Sequence, residues 1–140
     1  MKERPTSELD KELMDPDLGA YIHKHQALFK EMNISACLAA AYEQKDITKA
    51  ELARRAGMSE VYLHQVFSGR RKPSRDRLLC ICIGLEATLE ETQQMLKEVG
   101  YAQMYPKIKR DAILIHGILH HTPLGDINDR LFAENEKTLF

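Results

Sequence analysis

Between Lys49 and Arg77 the chain gathers Lys49, Arg54, Arg55, Arg70, Arg71, Lys72, Arg75 and Arg77 against only Glu51, Glu60 and Asp76. That stretch carries +5 on a chain whose formal net charge is −1, so the remainder carries −6. Charge sorted by region on a nearly neutral protein suits a polyanionic partner. Lysines and arginines that neutralise phosphates gain affinity by releasing counterions. A solvated basic surface accounts equally well for Arg54 and Arg55, neighbours on one helical turn.

Other constellations carry less chemistry. His116 and His120 stand i, i+4 with His121 beside them, and His23 and His25 sit in HKH. Two histidines at that spacing can bind zinc, but no H-E-x-x-H pattern or third carboxylate ligand accompanies them, so a structural or surface role is expected and no metal. Cys37, Cys80 and Cys82 are an odd number without a C-x-x-C pair, and read as reduced core thiols of a cytoplasmic protein. No glycine-rich phosphate loop occurs, and no Ser or Cys pairs with His and Asp in a catalytic arrangement. The expectation is a non-enzyme without a cofactor.

Periodicity places these residues on helices. No sustained alternation of apolar and polar residues occurs, so the chain reads all-α. The longest apolar run is Leu78–Leu85, far short of the roughly 18 residues that cross a bilayer, and MKERPTSELD lacks a signal peptide's apolar segment. Residues 1–33 read as an acidic N-terminal helical extension. SELDKELM forms a short helix between Pro5 and Pro16, and Leu18, Tyr21, Ile22, Leu28 and Phe29 form another reaching Met32. Asn33 and Ser35 restart a helix holding Ala36–Tyr42.

Thr48 with Glu51 three residues on predicts a capping box, in which hydroxyl and carboxylate each satisfy the other residue's amide. Leu52, Ala53 and Ala56 form that helix's buried stripe. Gly57 permits a sharp reversal, Ser59 caps the next helix, and Met58 staples its entry. Leu63 and Val66 face inward, Gly69 ends the helix, Pro73 forces the chain out, and Ser74 starts another helix through Leu85.

Residues 75–96, RDRLLCICIGLEATLEETQQML, recur at an offset of 35 as residues 110–131, RDAILIHGILHHTPLGDINDRL. Arg75-Asp76 matches Arg110-Asp111, Leu78-Leu79 matches Ile113-Leu114, Ile83 matches Ile118, and Leu89 and Leu96 match Leu124 and Leu131. Each copy reads as a helical hairpin. The second, within residues 100–140, is expected to pack beside the first and extend one core. Chance likeness of two amphipathic helix pairs is the rival explanation.

The spacing of Ile47, Thr48, Leu52-Ala53, Gly57, Ser59, Leu63, Val66, Gly69 and Pro73 resembles the helix-turn-helix of the phage-repressor (Xre/Cro) family. The resemblance covers residues 34–99. It implies a lambda-repressor-like bundle of about five helices, extended by the N-terminal segment and by the C-terminal hairpin 100–140. It further implies a recognition helix, residues 59–68, for the major groove of double-stranded DNA. Glu60, Val61 and Gln65 fall where the family reads base edges. Gln65 would pair bidentately with adenine, Val61 would touch a thymine methyl, and Glu60 would accept from cytosine. Lys49, Ser59, Tyr62, Arg70, Arg71, Lys72 and Arg75 fall where phosphates are contacted.

The resulting expectation is a sequence-specific transcriptional regulator acting as a homodimer. Glu60, where a DNA reader more often carries Gln, Arg or Ser, leaves an alternative open. In that alternative a helical adaptor keeps the fold and binds a protein partner, through this helix or through the N-terminal or C-terminal helices.

Overall fold

The computed structural model describes residues 6–26 and 33–140, which belong to two compact units dividing between Met32 and Asn33. The described residues are all-helical, as the missing strand periodicity predicts. None of their helices is long and apolar enough to cross a membrane.

The first unit holds α1 (Thr6–Leu13) and α2 (Leu18–Lys24), the latter capped by Asp17, whose carboxylate accepts from the Ala20 amide. Glu12 ties the two together. It receives Lys24 Nζ at 2.7 Å and meets the Nε2 of His25, a residue only 7% exposed, whose ring lies against Tyr21. The expected continuation of α2 through Leu28 and Phe29 to Met32 lies outside the described residues.

The second unit contains α3 (Ile34–Glu43), α4 (Lys49–Arg55), α5 (Glu60–Phe67), α6 (Arg75–Gly84), α7 (Leu89–Glu98), α8 (Lys109–Leu119) and α9 (Leu124–Ala133). From α3 to α7 every helix begins at a side-chain cap: Asn33, Thr48, Ser59, Ser74 and Thr88 each accept from an amide in the first turn. Short polar side chains are favoured there because they satisfy amides that have no intrahelical partner.

Only half of the capping box expected at Thr48 forms. Its hydroxyl accepts from the Glu51 amide at 3.1 Å, but the Glu51 carboxylate turns to Arg54 and Arg55. Two guanidiniums one turn away outbid a single backbone amide. The complete box lies at Thr88 and Glu91, where each side chain accepts from the other's amide.

The core is built around α6, whose Leu78, Leu79, Cys80, Ile81 and Cys82 are all fully buried. A helix apolar on all sides needs neighbours on all sides; α4, α7 and α9 each pack on it. Gly84 lets α4 come close, since a methyl built there would meet Leu52 Cδ1 at 3.0 Å and the Ala56 amide at 3.3 Å. Leu38, Leu63 and Val66 bring α3 and α5 into the same cluster. Cys80 and Cys82 are buried free thiols as expected, and burial pushes both up to about 12. Cys37 departs from that expectation, lying half-buried with its thiol donating to Glu98 at 3.4 Å.

Several hydrogen bonds recur at matched positions of the 35-residue repeat. Arg75 Nε donates to the Ala102 carbonyl and Arg110 Nε to that of Lys137, each at 2.8 Å and 27 residues ahead. The Met104 amide donates to Gln93 Oε1 and the Leu139 amide to Asn128 Oδ1, again matched positions. Left-handed backbone falls at Glu86 and His121, and at Gly100 and Asn135. Chance likeness does not account for this agreement. The copies cross-pair: Arg110 takes Asp76 and Arg75 takes Asp111. Reciprocal exchange of equivalent residues marks a contact about a local two-fold rather than a step along an array.

Candidate nucleic-acid interface

Helices α4 and α5 stand next to each other, joined by a turn with Gly57 at φ 66°. The Met58 amide closes this turn on the Ala53 carbonyl at 3.1 Å. Ala53 and Ala56 are buried there, the small residues that two short helices need in order to cross steeply. Ser59 caps α5, accepting from the Tyr62 amide at 3.1 Å. Leu63 and Val66 anchor the inner face of α5, so its outer face is set by geometry.

Ser59, Glu60, Val61 and His64 occupy that outer face, all exposed, with Gln65 half-buried at its edge. Val61 is 68% exposed, an apolar side chain held in solvent beside a carboxylate. His64 Nε2 lies 3.5 Å from Glu60 Oε1, a pair one turn apart. His64 thus shares the exposed face of α5 with Glu60 and Val61.

The basic loop is folded back onto α5. The Gln65 carbonyl accepts from the Arg70 amide at 2.9 Å and the Arg71 amide at 3.1 Å, with Gly69 at φ 81° making the bend. Only a residue without Cβ adopts that backbone freely. Arg70, Arg71 and Lys72 are exposed there.

Aromatic rings brace the neighbouring cations. Arg71 and Arg77 lie over the ring of Tyr62, at 5.7 and 5.1 Å from its centroid. Lys72 lies 5.5 Å from that of Tyr101, whose hydroxyl donates to the Pro73 carbonyl. Lys49 Nζ sits over Phe67 and Tyr42, 4.4 and 4.9 Å from the centroids of two rings that meet edge to face. Cation–π contacts of this kind orient a charge without neutralising it.

The cations of the segment thus divide in two. Among the described residues no carboxylate pairs with Lys49, Arg70, Arg71, Lys72 or Arg77, whereas Arg54 and Arg55 both hold Glu51. The Arg54 hydrogen bond keeps the Glu51 carboxyl below its ordinary range. Arg75, expected with the loop cations, is committed inside the bundle to the Ala102 carbonyl and, at 3.5 Å, to Asp111. A carboxylate 36 residues ahead leaves no local signal in the sequence. Arg77 was counted as a cation but not as a site residue, and its place over Tyr62 is a tertiary fact.

Comparison with known proteins agrees with this geometry. Residues 34–95 match the family model described as a helix-turn-helix domain. Repressor protein C of Rhizobium phage 16-3 is 36% identical over 77 residues, which cover 54% of this chain and 28% of that protein. No solved structure matches the chain significantly. The matched spacing, the glycine turn and the capped second helix coincide within residues 34–95, the stretch that is similar to a helix-turn-helix domain and to part of a phage repressor.

Proposed function

We propose that this protein binds double-stranded DNA sequence-specifically, with α5 in the major groove, and regulates transcription from the cytoplasm. The observation that carries the reading is the division of cations. Those flanking α5 meet no carboxylate among the described residues, while Arg54, Arg55, Arg75 and Arg110 are paired. Unpaired cations beside an outward helix are what a phosphate backbone requires.

In this reading Gln65 pairs with adenine, Val61 meets a thymine methyl and Glu60 accepts from cytosine. Ser59, Tyr62, Arg70, Arg71, Lys72 and Lys49 hold phosphates. Arg75 serves the bundle instead. Its relative's name, Repressor protein C, supports a regulatory role over a structural one. One recognition helix buries too little to be selective, so two copies bind half-sites about one helical turn apart.

The second reading, a protein-binding adaptor, draws on Val61, since an apolar side chain 68% exposed beside Glu60 also suits a protein groove. Salt separates the two. Fluorescence anisotropy is measured with duplex from upstream of the protein's own gene and with a scrambled duplex, at two salt concentrations. DNA binding predicts tighter association with the first and a log–log salt slope of about −0.9 per phosphate contacted. Absence of binding to either duplex at low salt refutes it in favour of the adaptor.

A further inference from the structure

Glu86 and His121 hold left-handed backbone, φ 54° and 52°, at matched positions in the tips of the two hairpins. Elsewhere among the described residues that conformation falls to Gly57, Gly69, Gly100 and Asn135, the residue types that tolerate it. Ionisable side chains at both tips, in place of glycine or asparagine, suggest that the side chains are used. Both line the same cleft.

The cleft has a volume of about 430 Å³, within the range of small-molecule sites. Ile83 and Ile118, one from each copy of the repeat, and Leu124 form its apolar walls. Gly84 and Gly117 also line it, and Arg54 and Arg55 stand on its α4 side.

The repeat shows what is missing on one side. Thr88 and Glu91 close the start of α7 with a capping box, but the matched start of α9, at Pro123, has no side-chain cap. Leu124 and Gly125 of that uncapped first turn belong to the cleft wall. Helix starts favour negative charge, and the guanidiniums on the α4 side favour the same sign.

Glu51 and Glu86 also face the cleft and oppose an anion, and the first turn of α9 already carries Asp126. Glu51 is already saturated by Arg54 and Arg55. Arg55 Nη1 stands 3.6 Å from Glu86 Oε1, beyond hydrogen-bond distance, with both side chains open to solvent. Exposed pairs of this kind are weak and readily exchanged.

We propose that the cleft between α4 and the two hairpin tips binds a small amphipathic monocarboxylate, its apolar body on Ile83, Ile118 and Leu124 and its carboxylate toward Arg55 and the start of α9. Because α4 is both a wall of the cleft and the first helix of the helix-turn-helix, occupancy bears directly on the element that braces α5.

The test is an amide-resolved NMR titration of the full chain with indole-3-acetate and octanoate, against tryptamine and octylamine as cationic counterparts. Saturable shifts at Gly84, Gly117 and Gly125 are expected with the carboxylates and not with the amines. Arg55→Ala should weaken carboxylate binding roughly tenfold, the scale of one charge-assisted contact. Gly125→Phe should abolish it without loss of fold, because a Cβ at Gly125 meets nothing within 4 Å. The free protein is titrated, so the outcome does not depend on DNA binding. Absent shifts, equal response to the amines, or carboxylate binding indifferent to Arg55→Ala would each overturn the proposal.

Discussion

Arg110 grips Asp76 with two hydrogen bonds, 2.9 Å from Nη1 and 3.1 Å from Nη2, while donating to the carbonyls of Lys137 and Thr138. One guanidinium thereby joins both copies of the repeat to the segment that follows α9. The pair is mostly shielded from water, with 17% and 21% of the side chains exposed.

Arg110→Ala should destabilise the protein by about 2–4 kcal/mol, because it leaves a carboxylate and two carbonyls without their donor. Arg110→Lys should recover less than half of that loss, since an ammonium cannot make the planar two-point contact. Urea denaturation of both variants and of Asp76→Ala measures this. A double-mutant coupling below about 0.5 kcal/mol would contradict the pairing.

At Gly57 two costs of substitution can be separated. The backbone sits at φ 66°, and a methyl there would come within 2.8 Å of the Phe140 ring. Gly57→Ala should cost about 1–2 kcal/mol for the left-handed backbone alone. Adding Phe140→Ala should relieve the steric part and leave the backbone part. Thermal melts of the single and double variants give both terms.

Thiol chemistry follows burial. The Cys37 thiol is pushed up to about 11, by burial first and by Glu98 second. Cys80 and Cys82, raised to about 12, are sealed in α6. At pH 8 a thiol reagent should label Cys37 slowly and spare the other two until denaturant is added. Glu98→Gln should speed the labelling of Cys37, read by mass spectrometry of the labelled peptides.

In the N-terminal unit, hydrogen bonds from Lys24 and then from His25 lower the Glu12 carboxyl from 4.5 to about 2. A depressed carboxylate stabilises its contacts fully above its unfolded value and loses that contribution as pH falls through its folded value. The α1–α2 contact should therefore persist at pH 4 and fail toward pH 2. Carboxyl NMR of Glu12 reads the midpoint, which Lys24→Ala should raise.

If α5 reads DNA, its residues should separate by kind. Replacing Arg70, Arg71 and Lys72 with Ala should weaken binding on every sequence and flatten the salt slope by up to about three contacts. Gln65→Ala should instead relax preference at one base position, costing roughly 1–3 kcal/mol. Competition anisotropy with a panel of single-base variants distinguishes the two patterns. An equal loss on all duplexes for Gln65→Ala would remove that residue from base reading.

Much of the helix-turn-helix was legible in local sequence because its determinants are local. A cap acts over three residues, a left-handed glycine on one, and Leu63 and Val66 on a single helix face. The repeat was legible too, as matched residues at a fixed offset. Local reasoning failed where another group, near or distant, competed for the same side chain. Glu51 left its capping box for two arginines, and Arg75 left the basic segment for Asp111 and Ala102. Sequence aligned Arg75 with Arg110 and Asp76 with Asp111, and by itself determined that the two hairpins are alike. Only the tertiary structure decided that they exchange partners, because a charge in a bundle binds whichever opposite charge packing carries to it.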